Sequence, residues 1–180
     1  MTQSPNQCRV TPDDLFNLLN REFNFDLDAA ASAENTKCAA YLDEELNALT
    51  CDWVGVGLAK SRLGGFVRLY GDAGESPFSI FCNPPWSDPA PWLEKAYNEA
   101  QKSANAVVVV ILHQTWSAGV APWLLKATEI RQLIGRPQFV TPGVANSSNP
   151  RDCQIIIFRR KLHDVPPVVW FWDWRKDIAQ

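Results

Sequence analysis

Apolar and polar positions change their period several times along this chain, and each change marks an element. After Thr11-Pro12-Asp13-Asp14, the residues Leu15, Phe16, Leu18, Leu19 and Phe23 recur at helical spacing. A hydroxyl cap, a proline at the first helical position and acids in the positive first turn predict a helix there that buries one face. Residues 25–27 read as a short strand that ends at Asp28. The run Ala29-Ala30-Ala31-Ser32 follows at once, with the small side chains a chain needs to turn sharply against a ligand. Residues 34–49 predict a helix and a short second unit, and the glycine-rich stretch 52–77 reads as strands joined by loops.

Residues 78–82 alternate toward a strand and run into Asn83-Pro84-Pro85-Trp86, where two prolines forbid both helix and ladder hydrogen bonding. Asp88-Pro89 then starts a helix to about Ser103, with Trp92, Leu93, Ala96 and Ala100 on one face. The continuous β-branched run 106–112 has the pattern of a central strand buried on both faces. A helix, a strand over 132–139, an Asn/Ser/Pro loop over 143–152 and a strand over 154–158 come next. A last extended run, 168–174, sets three tryptophans on one face.

This alternation predicts an α/β domain spanning residues 1–180: one open, mostly parallel sheet with helices on both faces. Ligands of such sheets sit at the carboxyl ends of the strands, where Asp28 and Asn83 both fall.

Composition adds bounds. One core suffices for 180 residues that are 46% hydrophobic. Five scattered cysteines (Cys8, Cys38, Cys51, Cys82, Cys153) without a C-x-x-C pair argue against a disulfide framework or a metal site, and for a reducing compartment. The polar N-terminus and the shortness of the longest apolar run predict a soluble, cytoplasmic protein with no membrane partner. The net charge of -3 is uneven: residues 1–50 hold nine acids and three bases, whereas residues 51–180 hold eleven acids and fourteen bases. The later part is the side suited to phosphates.

The richest chemistry lies in Asn83-Pro84-Pro85-Trp86. An aromatic exocyclic amine is a poor nucleophile because its lone pair is delocalised into the ring. The side-chain carbonyl of Asn83 and the backbone carbonyl of Pro84 can each accept one amine hydrogen, which favours the pyramidal nitrogen whose lone pair attacks a methyl sulfonium. The prolines hold these acceptors in place, and Trp86 offers a flat face for an extruded base. The tetrapeptide alone suits several acceptors: adenine in DNA or RNA, cytosine N4, or a glutamine amide.

Around it the chain resembles the phage-type Dam family of DNA N6-adenine methyltransferases. The resemblance runs through Thr11-Pro12 with Leu15-Phe16, and through Phe23-Asn24-Phe25-Asp26-Leu27-Asp28-Ala29-Ala30-Ala31-Ser32-Ala33-Glu34-Asn35. It continues in Asn83-Pro84-Pro85-Trp86 with Trp92 and Lys95-Ala96, and in Gly135-Arg136-Pro137-Gln138-Phe139. It implies a Rossmann-like, class I methyltransferase fold that uses S-adenosyl-L-methionine and double-stranded DNA, in a phage or prophage setting within a bacterial cytoplasm. It also implies that Thr11 and Pro12 lie near the methionine part of the cofactor, that Asp28 takes its amino group, and that Ala30 and Ser32 line the turn beneath.

Two departures from the family pattern stand out. Glu44-Glu45-Leu46-Asn47 replaces the usual acids of the second cofactor segment, so Asn47 or Glu45 would contact adenosine. Trp86 stands where relatives more often carry tyrosine. Arg136, within the late motif, and Arg159-Arg160-Lys161 are candidate phosphate contacts together with Trp86 at the base. The loops around 55–77 and 143–152 are candidate DNA-contacting insertions, and His113 is a candidate neighbour of the pocket. A catalytically decayed, DNA- or partner-binding version of the fold is the alternative from another class.

Overall fold

Eight consecutive buried residues organise the molecule. In the computed structural model, which describes residues 9–54, 56–70, 78–139 and 150–178, residues Ala106–His113 form the strand β6, buried at every position. Successive side chains of a strand point to opposite faces. Ala106, Val108, Val110 and Leu112 accordingly join one apolar cluster, and Val107, Val109 and Ile111 another. Each valine, isoleucine and leucine among them contributes about 1.5–3 kcal/mol by leaving water, so β6 anchors two cores at once.

The strands before it in the chain are β1 (Leu27–Asp28), β2 (Ala40–Tyr41), β3 (Val56–Ser61), β4 (Phe66–Tyr70) and β5 (Phe78–Cys82); those after are β7 (Glu129–Leu133), β8 (Cys153–Arg159) and β9 (Val168–Trp172). They form one sheet in the order β4-β3-β2-β1-β5-β6-β8-β7-β9. Helix α1 (Asp13–Phe23) supplies Leu15, Phe16, Leu18, Leu19 and Phe23 to the cluster on one face. Helices α2 (Ala90–Lys102) and α3 (Ala121–Lys126) supply Leu93, Ala96, Ala100 and Leu124 to the other.

The sheet is mixed rather than mostly parallel. The pairs β1–β2, β1–β5, β5–β6 and β7–β9 run parallel, and β2–β3, β3–β4, β6–β8 and β7–β8 run antiparallel. Burial on both faces makes a strand such as β8 read like a parallel one, because a continuous apolar run reports burial and not direction.

Two local expectations also change. Residues 34–49 hold turns and the two-residue β2 in place of a helix, with Asn47 at φ 49°. The expected strand 132–139 is β7, which ends at Leu133 before Gly135 takes a positive φ. The stretch 52–77, read as strands joined by loops, does hold two strands, β3 and β4, which pair as an antiparallel hairpin at the edge of the sheet. Residues 55 and 71–77 of that stretch, and most of the 143–152 loop, lie outside the described residues.

Candidate active site

Strands β1 and β5 lie side by side and parallel, with Asp28 level with Phe81. Both therefore release their chains at the same end of the sheet, Asp28 into the small-residue turn and Cys82 into Asn83-Pro84-Pro85-Trp86. The turn packs tightly because Ala29 N–H donates to the Phe81 carbonyl (2.8 Å) and Ala31 N–H to that of Leu42 (3.0 Å).

Asp28 is only 3% exposed. Its carboxylate accepts the backbone N–H groups of Lys37 (3.0 Å) and Ala30 (3.4 Å). Burial outweighs these bonds and pushes its pKa up to about 6. In the same recess lies Thr11, which does not cap α1: Pro12 holds the cap position without a side-chain bond. The Thr11 hydroxyl is buried and has no hydrogen-bond partner among the described residues. Pro12 carries the chain into α1 through the bond from Phe16 N–H to its carbonyl (3.0 Å).

Beside this recess opens a pocket of about 500 Å³, within the range of small-molecule sites. Ala30, Ser32 and Asn47 line it together with Asn83, Pro85 and Trp92. Ala30 and Asn83 belong to both pocket and recess, so the two are continuous in their walls. Ser32 is held by its own loop, its hydroxyl donating to Glu34 (2.6 Å) and its N–H to Asn35 (2.7 Å). Asn47 is exposed at the rim. Glu45, also at the rim, pairs with Lys60 (2.5 Å).

On the other side of Asn83, Pro84 is buried and Trp86 is half-buried between the two core clusters. The Trp86 ring meets Phe139 edge-on at 4.8 Å, lies 5.4 Å from the ring of His113, and has the Arg9 guanidinium 5.5 Å from its centre. The carboxamide of Asn83 donates from Nδ2 to the Arg9 carbonyl (2.7 Å), and its Oδ1 accepts the Trp86 indole N–H (3.2 Å). His113 is buried at the end of β6; desolvation and the charge of Arg151 lower its pKa, and its Nδ1 has no hydrogen-bond partner among the described residues.

Phe139 reaches Trp86 because of the turn at Gly135. At φ +81°, a Cβ there would also collide with the Arg175 guanidinium, 2.1 Å away. Arg175 donates to the Arg136 carbonyl (2.9 Å) and the Trp174 indole to that of Gly135 (3.3 Å). Arg136 pairs with Asp152 (2.8 Å), whose carbonyl accepts Gln114 N–H just beyond β6. Arg136 thus shares the sheet end that carries Asn83.

Arg159, Arg160 and Lys161 do not. Arg159 pairs in register with Val107 at the start of β6, whereas Cys82 pairs with Val110. That sets Arg159 about 13 Å down the sheet from Asn83, and Arg160 and Lys161 continue away. Sequence reasoning missed Arg9, whose main chain touches Asn83 from 74 residues away, and the clamping of Gly135 by Trp174 and Arg175. No local pattern signals either contact.

The family model described as DNA N-6-adenine-methyltransferase (Dam) matches residues 2–62 and 69–173. The chain belongs to the Dam family. It is a DNA N6-adenine methyltransferase. No curated protein matches the chain. The Dam match includes the Asp28 turn, the Asn83-Pro84-Pro85-Trp86 segment and the Gly135 turn, and its gap falls within the β3–β4 hairpin. Among the described residues of this Dam protein no helix is long and apolar enough to cross a membrane, and no group of three or more His, Cys, Asp or Glu is placed to hold a metal ion. Among the described residues Cys38, Cys51, Cys82 and Cys153 form no disulfide with one another; Cys8 lies outside them.

Proposed function

We propose that the enzyme methylates an adenine extruded from double-stranded DNA, with S-adenosyl-L-methionine held at the ends of β1 and β2 and the base held at the end of β5. The observation that carries this reading is the meeting of two unlike compartments at Asn83: a small-residue pocket with a buried acid on one side, an aromatic surface on the other. A class I, Rossmann-like arrangement is supported by the parallel trio β1, β5 and β6 with helices packed on both faces.

The residues present fit that cofactor. An acid whose pKa is raised by burial gains most from a cationic amino group, which returns it to the carboxylate form. The orphaned Thr11 hydroxyl is a ready partner for a polar end group, with Pro12 beside it. Ala30 and Ser32 leave room for the body of the molecule, and Asn47 at the rim offers an amide to an adenosine moiety. When bound, the cofactor supplies an electrophilic methyl group.

The chain's own part in the step is to prepare the nucleophile. Asn83 Oδ1 and the Pro84 carbonyl accept the two amine hydrogens, drawing the nitrogen toward the pyramidal form with its lone pair free to attack. Pro85 keeps the segment stiff, and Trp86 stacks on the base. The methylated ammonium is acidic enough to lose its proton to water. Arg136, on the same sheet end, is suited to a phosphate flanking the extruded base. A cytoplasmic, phage-related setting agrees with an enzyme that works on DNA.

Asn83→Ala tests the reading. It is expected to lower methyl transfer about 10²–10³-fold, the loss typical of one oriented hydrogen-bond partner in a transition state, while S-adenosyl-L-methionine affinity by calorimetry and the melting temperature stay near wild type. Methylation at the normal rate in that variant overturns it.

A further inference from the structure

We propose that Trp86 and the main chain of Arg9 form a two-sided clamp that fixes the carboxamide of Asn83, making Trp86 a positioning residue for methyl transfer in addition to a stacking surface. The proposal rests on the reading of Asn83 as the acceptor of the target amine.

A carboxamide has two orientations of almost identical shape and opposite chemistry. With Oδ1 toward the base, Asn83 accepts an amine hydrogen. Turned over, it presents N–H groups to N–H groups. Here the surroundings accept only one orientation: Nδ2 donates to the Arg9 carbonyl at 2.7 Å, and Oδ1 accepts the Trp86 indole N–H at 3.2 Å. Reversal would set carbonyl against carbonyl and N–H against N–H, losing both bonds and creating two repulsions.

The carbonyl oxygen carries two lone pairs, so the indole takes one acceptor site and leaves the other for the substrate. Preorganisation of this kind raises the rate because the acceptor does not reorganise during the reaction. The two jaws are also tied to each other. The Arg9 guanidinium lies over the Trp86 ring at 5.5 Å, and Phe139 and His113 fix the ring from other directions. A phenyl or phenol ring in place of Trp86 would still stack on a base, but neither carries an N–H at this position.

The experiment compares Trp86→Phe, Asn83→Asp and Asn83→Ala with the wild type. It uses single-turnover methylation with saturating S-adenosyl-L-methionine on a duplex carrying the methylation site mapped for the wild-type enzyme. KM for the duplex, extrusion of a 2-aminopurine placed at the target, and thermal unfolding are measured alongside. Trp86→Phe is expected to keep KM and the extrusion signal within about threefold while the single-turnover rate falls about tenfold, the worth of one lost hydrogen bond expressed only in the transition state. Asn83→Asp keeps an acceptor but turns a carboxylate oxygen toward the Arg9 carbonyl, and its rate is expected to fall at least about tenfold as well.

A Trp86→Phe enzyme that turns over at the wild-type rate, or that loses activity only through KM and base extrusion, overturns the clamp; so does Asn83→Asp at full rate. If Asn83→Ala is inactive while Trp86→Phe is normal, the clamp alone fails. If Asn83→Ala is itself active, the assignment of Asn83 fails and the clamp with it.

Discussion

Buried polar groups in this protein are handled in two ways, according to where they lie in the sheet. Glu99 on α2 is 1% exposed, and both its oxygens are engaged. Oε2 accepts the backbone N–H groups of Trp53 (3.1 Å) and Val54 (2.9 Å), and Oε1 takes Lys102 (2.8 Å) and Lys95. Arg131 on β7 is likewise complete: it holds both oxygens of Glu22 at 2.6 Å and Glu129 at 2.7 Å, against the rings of Phe23, Trp170 and Trp172. At the end of the sheet where β1, β5 and β6 finish and β8 begins, the pattern reverses. The Thr11 hydroxyl, His113 Nδ1 and Gln154 Nε2 have no partner among the described residues, and Asp28 keeps a raised pKa. An unmade bond to a buried group costs about 1–3 kcal/mol. Such costs concentrate where a ligand can later relieve them, so incompleteness itself marks the site.

The largest expected effect lies on the complete side. Glu99→Ala leaves two buried N–H groups and two lysines without their common partner, and the unfolding free energy should fall by about 3–5 kcal/mol. Denaturant unfolding followed by fluorescence measures this, with eight tryptophans as reporters. A loss under about 1 kcal/mol would mean that the cluster is no better satisfied than the strand ends.

On the incomplete side the sign should invert. Burial raises the Asp28 pKa, so the folded chain binds that proton more tightly than the unfolded chain does. The stability this gives is full below the ordinary carboxylate range and is lost as pH rises through about 6. Asp28→Asn removes the dependence. Between pH 4 and pH 8 the unfolding free energy of the variant should therefore improve relative to wild type by about 2 kcal/mol. The same substitution should weaken S-adenosyl-L-methionine binding about ten- to hundredfold, as expected for loss of a charge-assisted bond. Parallel stability profiles for the two proteins would show that Asp28 is not held out of balance.

These two residues also show why some of the molecule was legible from its sequence. Asp28 stands between a strand and a run of alanines, and Asn83 before two prolines, so each carries its position in its neighbours. The periodic apolar faces of α1, α2 and β6 are read in the same way, from local spacing. Glu99 looks like any solvated helical acid, because the N–H groups that bury it come from Trp53 and Val54, 46 and 45 residues away. Strand direction was unreadable for the same reason: β8 is set against β6 by its partner and not by its composition. The turns at 34–49 escaped notice because helix-forming residues there are overridden by tertiary contacts, such as Leu42 N–H bonded to the Asp28 carbonyl (2.9 Å).

The smallest expected effect concerns the two basic groups at opposite ends of the sheet. Arg136 lies at the same end of the sheet as Asn83 but is occupied by Asp152, so a phosphate must compete for it. Its replacement by Gln should weaken DNA binding a few-fold, and should reduce the slope of log affinity against log salt by about one. Replacing Arg159, Arg160 and Lys161 together with Gln removes three charges, but from the far end, where Arg159 already lies over Phe23 and Lys161 donates to the Val165 carbonyl (2.7 Å). A bound duplex centred on Asn83 leaves that end in solvent, and the triple variant should shift the slope by less than Arg136→Gln alone. Binding titrations across a range of salt concentrations decide between them. A larger slope change from the triple variant would mean that DNA follows the sheet toward β9 and that the strand ends are only where the base enters.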